Sequence, residues 1–162
     1  MSHRQQSDAD SEPARYLEDF TPGTIIDTPP HTVTEAEIID FAKRYDPQYY
    51  HTDPHAACRS IFAGLVAGGF QTAALVWALA LRTGWFEHCA MAGIGVDELR
   101  WLAPLRPGDA VRCRITVIDN RVSRSKPDRG VIVGRYDLFN QHRERILTLT
   151  MTQMLRRRPR RD

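Results

Sequence analysis

The sequence predicts an α+β fold: a single domain in which a curved antiparallel sheet wraps around one long buried helix. Three observations carry this. The stretch 68–83 is apolar almost all round, and a helix without a polar face is a buried helix. Beyond Gly93 the hydrophobic period changes to two, the period of half-buried strands. The helical patterns are grouped ahead of the strand patterns, which argues for helix packed on an antiparallel sheet rather than alternating βαβ units. The 162 residues suffice for one such domain and are too few for two ordinary ones.

Residues 1–15 are polar and acidic without a period, and are expected to be disordered. The domain is placed at 16–155. In Thr34-Glu35-Ala36-Glu37 a capping box starts a helix, and Ile38, Phe41, Ala42 and Tyr45 give it an apolar face over 34–45. Pro47 pushes Asp46 out of the helical region, so the helix ends there. Asp46 to Asp53 reads as a structured loop. Asp53-Pro54 then places an N-cap and a first-turn proline at the head of a two-turn helix reaching Cys58 or Arg59. Gly68 and Gly69 open the apolar helix, and Gly84 closes it.

In the second half, Val111, Cys113, Ile115 and Val117 alternate with Arg112, Arg114 and Thr116. Val131 to Leu138 is strand-like, and Ile146 to Leu155 alternates Thr148, Thr150 and Thr152 with apolar neighbours. Turn signals at Pro107-Gly108-Asp109, Pro127 to Gly130 and Asn140-Gln141-His142 separate them. Gly93-Ile94-Gly95 reads as a bend.

The net charge is +2, but residues 156–162 hold five arginines, and the rest of the chain has 17 basic and 19 acidic side chains. The basic balance thus belongs to the tail, read as a solvated end that blocks edge pairing. Without interleaved aromatics or a recognition motif, nucleic acid is not an expected partner. The longest apolar run, Ala73–Leu81, is too short to span a bilayer, and the N-terminal stretch has no apolar core of an export signal. The expected compartment is the cytosol, with Cys58, Cys89 and Cys113 as reduced thiols.

The chemistry concentrates in 45–55. His51 and His55 flank Asp53, but the helix start at Pro54 separates the two rings, and no metal site is expected. No nucleophile elbow, phosphate loop or dinucleotide fingerprint occurs. Asp46 and His51 remain as a general acid/base pair, or as an ordinary turn carboxylate and loop histidine. Their loop is stiffened by Pro47 and Pro54. The backbone N–H groups at Gly68-Gly69 are free to hold a developing negative oxygen, and Gly69 leaves room for a ligand; close packing of helix on sheet is the other reading of the two glycines.

The segment Asp46 to Pro54 (D-P-Q-Y-Y-H-T-D-P) resembles the D-x-N-P-[LIV]-H-x-D motif of the MaoC-like dehydratases, which include the R-specific enoyl-CoA hydratases. Phe62 to Phe70 resembles their R-I-A-H-G-M segment, and Arg100 to Asp109 their strand and P-V-x-x-G-D turn. Gln48, Tyr49, Tyr50 and Gly68 depart from the motif. The resemblance implies the hot-dog fold, a homodimer or higher homo-oligomer, and an acyl-CoA thioester as substrate, with coenzyme A entering only as part of it and no separate cofactor. It implies that Asp46 and His51 activate a water for reversible addition across a 2-enoyl thioester, while the Gly69 N–H stabilises the enolate-like oxygen. Tyr49, Tyr50, Gly68 and Phe70 would then border the substrate. Arg124, Lys126 and Arg129, near a turn, are candidates for the CoA phosphates, or else solvated charges. A hot-dog acyl-CoA thioesterase and a non-catalytic acyl-thioester-binding subunit are the alternatives.

Overall fold

A computed structural model of the chain describes residues 13–160. The expected disorder of residues 1–12 and the last two residues of the tail lie outside the described residues.

Short strands β1 (Ile25–Asp27) and β2 (His31–Thr32) precede helices α1 (Glu35–Tyr45), α2 (Tyr49–Thr52), α3 (Pro54–Ala57) and α4 (Gly69–Arg82). Four long strands follow: β3 (Ala90–Trp101), β4 (Ala110–Val122), β5 (Arg129–Phe139) and β6 (Arg145–Arg156). The sheet is antiparallel in the order β1-β4-β5-β6-β3, with β2 also paired to β4. This is the hot-dog arrangement. Register shifts between Val117 and Asp119 and at three points of β3 mark β-bulges, which bend strands and deepen twist.

The core lies between α4 and the concave side of the sheet. Val76, Leu79 and Ala80 of α4 are buried together with Ile115, Val117, Ile132, Tyr136, Leu138, Leu147 and Leu149. The buried Tyr136 hydroxyl donates to Gln153 at 2.7 Å, so its polar atom is satisfied. At Gly130 a Cβ would collide with the Arg121 carbonyl and the Leu17 side chain, so only glycine allows the approach.

The structure refines the expected elements at four places. The 46–53 segment is not all loop: residues 49–52 close one α-helical turn between the two prolines. The helix at Pro54 runs one turn rather than two. Gly93-Ile94-Gly95 lies inside β3 rather than beside it, with a register shift at the expected bend. Finally, α4 is buried on one face only: Phe70 is 70% exposed, and Ala74 and Leu81 are also exposed. The sheet covers just one side of the helix, so its all-round apolar surface is not accounted for by the described residues.

Edge strand β3 is similarly open. Ile94 and Val96 are 54% and 50% exposed, and among the described residues no strand pairs with its outer edge. Cys58 is exposed, while Cys89 and Cys113 are buried. At the N-terminal end Arg15, expected to be disordered, stacks 4.3 Å over the Trp85 ring. The tail is not merely solvated. Arg157 and Arg158 reach the one-turn 3-10 helix Leu17–Asp19, pairing with Glu18 at 2.9 Å and Asp19 at 2.7 Å.

Candidate active site

Three elements converge on one cleft of about 480 Å³. The α1 helix ends at Asp46, as Pro47 requires. The α2 turn presents His51. The start of α4 supplies Gly68 and Gly69. Asp53, which caps α3 by accepting from the N–H groups of His55 at 2.9 Å and Ala56 at 3.0 Å, locks the far end of the segment. Those two bonds lower its carboxyl below the ordinary range, chiefly through the Ala56 N–H.

His51 is 5% exposed. Its Nδ1 donates to the Val66 carbonyl at 2.6 Å. A carbonyl can only accept, so Nδ1 carries a proton, and in the neutral form of the ring Nε2 is left as an acceptor. That Nε2 lies 3.5 Å from Asp46 Oδ2. In that form the two facing acceptors call for a shared donor, and a water offering one O–H to each meets that demand. The other carboxylate oxygen, Oδ1, accepts from Gln48 Nε2 at 2.7 Å, and Tyr50 donates its hydroxyl to Gln48 Oε1. Tyr50 also stacks edge-on against the imidazole, centroids 4.5 Å apart.

The α4 start carries no side-chain cap and no acidic residue in its first turn. The N–H groups of a first helical turn have no intrahelical acceptor, and the Gly69 backbone lines the cleft. A Cβ at Gly68 would stand 3.0 Å from Asp46 Oδ2. At Gly69 a Cβ would stand 2.6 Å from the Trp101 ring, whose Nε1–H donates to the Gly69 carbonyl at 2.8 Å. The expected free space over Gly69 is therefore occupied by Trp101, and the glycine is required by this packing.

A family model described as MaoC like domain matches residues 19–134. The chain belongs to the MaoC-like domain family. A MaoC-like dehydratase from Rhodospirillum rubrum is 36% identical, with a TM-score of 0.81 over 90% of this chain and 99% of that one. The uncharacterized protein YdeM of Bacillus subtilis is 26% identical over 87% of this chain and 99% of its own length. The R-hydratase PhaJ1 from Pseudomonas aeruginosa shares the fold at 19% identity, with a TM-score of 0.73 over 90% of this chain and 88% of that one.

In this MaoC-like chain Asp46, His51, Gly69, Tyr50 and Phe70 line the cleft together. Gly68 borders Asp46 from behind. Tyr49 is outside the cleft lining and stacks edge-on against Tyr50 at 5.1 Å. Arg124, Lys126 and Arg129 are not brought to this cleft. They belong to the β4–β5 turn at the other end of the sheet, and Arg129 is held by Asp128 at 2.8 Å. Gln48, Val66, Phe62 and Trp101 were not singled out as site residues in the sequence. For Gln48 the signal was its place two residues after Asp46; Trp101 and Val66 act across 32 and 15 residues of chain, which no local pattern reports.

Proposed function

We propose that this MaoC-like protein is an (R)-specific enoyl-CoA hydratase and 3-hydroxyacyl-CoA dehydratase. The observation that carries the reading is the Asp46–His51 pair: an Nε2 acceptor and a carboxylate oxygen 3.5 Å apart at the wall of an apolar cleft, beside an uncapped helix start.

In the hydration direction one water donates to Nε2 and to Asp46 Oδ2, which turns its lone pairs toward the substrate. Its oxygen bonds to the β-carbon as one proton passes to His51 Nε2. The π electrons shift to the thioester oxygen, and the Gly69 N–H, aided by the positive end of α4, stabilises that charge. The imidazolium, facing Asp46, then returns the proton to the α-carbon, so both new bonds form on one face. Dehydration is the reverse. No atom is left over, and no cofactor besides the substrate's own coenzyme A takes part.

The active form is a homodimer, formed by two copies pairing along β3. The open edge, the exposed Ile94 and Val96, and the uncovered face of α4 support this, since such edges and apolar faces are normally covered. The setting is the cytosol, in keeping with three unpaired cysteines.

The test is loss of the enoyl absorbance of crotonyl-CoA. Asp46→Asn and His51→Ala should each lower kcat by at least about 100-fold while the circular dichroism stays native. Undiminished turnover in both would overturn the reading, and release of free thiol outpacing hydration would favour the thioesterase.

A further inference from the structure

At the end of the sheet away from the catalytic cleft lies a second recess, about 690 Å³ in volume. Five arginines line it, Arg129, Arg156, Arg157, Arg158 and Arg160, against the single carboxylate of Asp128. Three of the five are already committed: Arg129 to Asp128, Arg157 to Glu18 and Arg158 to Asp19. Among the described residues no carboxylate stands within ion-pair distance of Arg156 or Arg160. The recess is built, not a loose end. The Arg156 N–H donates to the Cys89 carbonyl at 2.7 Å and the Arg157 N–H to the Asp128 carbonyl at 2.8 Å. Arg157 further clasps the Pro127 carbonyl at 3.1 Å. Two arginines are thus left over a fixed floor, facing an uncompensated field.

Edge strand β3 connects this recess with the cleft. Met91, near the start of β3, lines the recess, and Trp101, its last residue, lines the cleft. Because the twelve residues of β3 pair against only nine of β6, Leu147–Leu155, the two sites stand roughly 25 Å apart along the strand. A two-fold axis closes that gap. Antiparallel pairing of β3 with its own copy at full overlap sets Ala90 opposite the partner's Trp101. The recess of each chain then lies beside the cleft of the other.

We propose that Arg156 and Arg160 form the subsite for the 3′-phospho-ADP half of coenzyme A, and that each protomer supplies it to its partner's cleft. This rests on the hydratase reading and on the β3 dimer. The diphosphate and 3′-phosphate carry the charge that guanidinium groups recognise, while the neutral pantetheine arm spans from the recess to the dyad. Arg157 and Arg158 keep the tail in place.

The double variant Arg156→Ala/Arg160→Ala tests the site. KM for crotonyl-CoA should rise at least ten-fold, and KM for the crotonyl thioester of N-acetylcysteamine, which lacks the nucleotide, less than two-fold. An equal rise for both, or none for crotonyl-CoA, overturns the assignment. The partner's role is read by co-purifying differently tagged Asp46→Asn and double-variant chains. In that heterodimer the intact dyad faces the intact arginines only if the subsite is shared across the interface, so low-KM turnover should return. A KM as high as the double variant's would place the subsite over its own cleft and overturn the exchange. Should the wild type hydrate neither thioester, the hydratase reading fails alone. Calorimetric binding of coenzyme A then decides the subsite: a ten-fold weaker Kd in the double variant sustains it, and an equal Kd rejects it.

Discussion

Two helices of this protein begin in opposite ways. The start of α1 is closed by its own side chains: Thr34 Oγ1 accepts from the Glu37 N–H at 3.1 Å, and Glu37 accepts from the Thr34 N–H at 2.7 Å. The start of α4 has no such cap, begins with two glycines, and faces a cleft holding a carboxylate and a buried imidazole. Unpaired N–H groups at a helix end are normally satisfied by some partner. Where side chains supply it, as at α1, the end is structural. Where none does and a carboxylate and an imidazole gather, as at α4, the partner we propose is the developing negative oxygen of the substrate.

That contrast breaks most readily at Gly69. Gly69→Ala places a methyl in the Trp101 ring, and moving the helix start by a fraction of an ångström misaligns the N–H. We expect kcat to fall by at least about ten-fold. Adding Trp101→Ala should recover thermal stability without restoring the rate, because the indole that holds the Gly69 carbonyl is gone. Equal recovery of both would mean that Trp101 only obstructs. A smaller effect sharpens the other side. Thr34→Ala should cost about 1 kcal/mol in denaturant unfolding and leave turnover at the wild-type level; a loss of rate would show that α1 has a part in catalysis.

The smallest effect concerns the tail clasp. Burial alone would raise the Glu18 carboxyl, but bonds from the Arg158 N–H and the Arg157 guanidinium hold it below its ordinary 4.5. A carboxyl depressed in the folded state contributes its stability in full above the unfolded value and loses it as the pH falls through the folded one. Glu18→Gln should therefore lower Tm slightly at pH 7, with the gap to wild type closing below about pH 4.5. A gap independent of pH would remove the clasp from the account.

What could be read from the sequence follows the range of the interaction. The capping box of α1, the stop at Pro47, the Asp53 cap and the period-two strands are all local, and all stand in the structure. The Asp46–His51 pair was legible because five residues and two prolines hold it. The α2 turn was not, since four residues give no periodicity to count. Trp101 over Gly69 and Arg157 on Glu18 join residues 32 and 139 apart, and such contacts leave no trace in a local pattern. The open face of α4 was hidden for a different reason: hydrophobicity reports that a surface is apolar, not how much of it the sheet covers.

The cysteines offer a handle of another kind. Burial raises the Cys89 thiol to about 11 and the Cys113 thiol to about 12, so neither forms thiolate at neutral pH. Cys58 stands exposed seven positions beyond the histidine of the dyad. A maleimide dye would consequently settle at one address, the end of α3, without any engineered mutation.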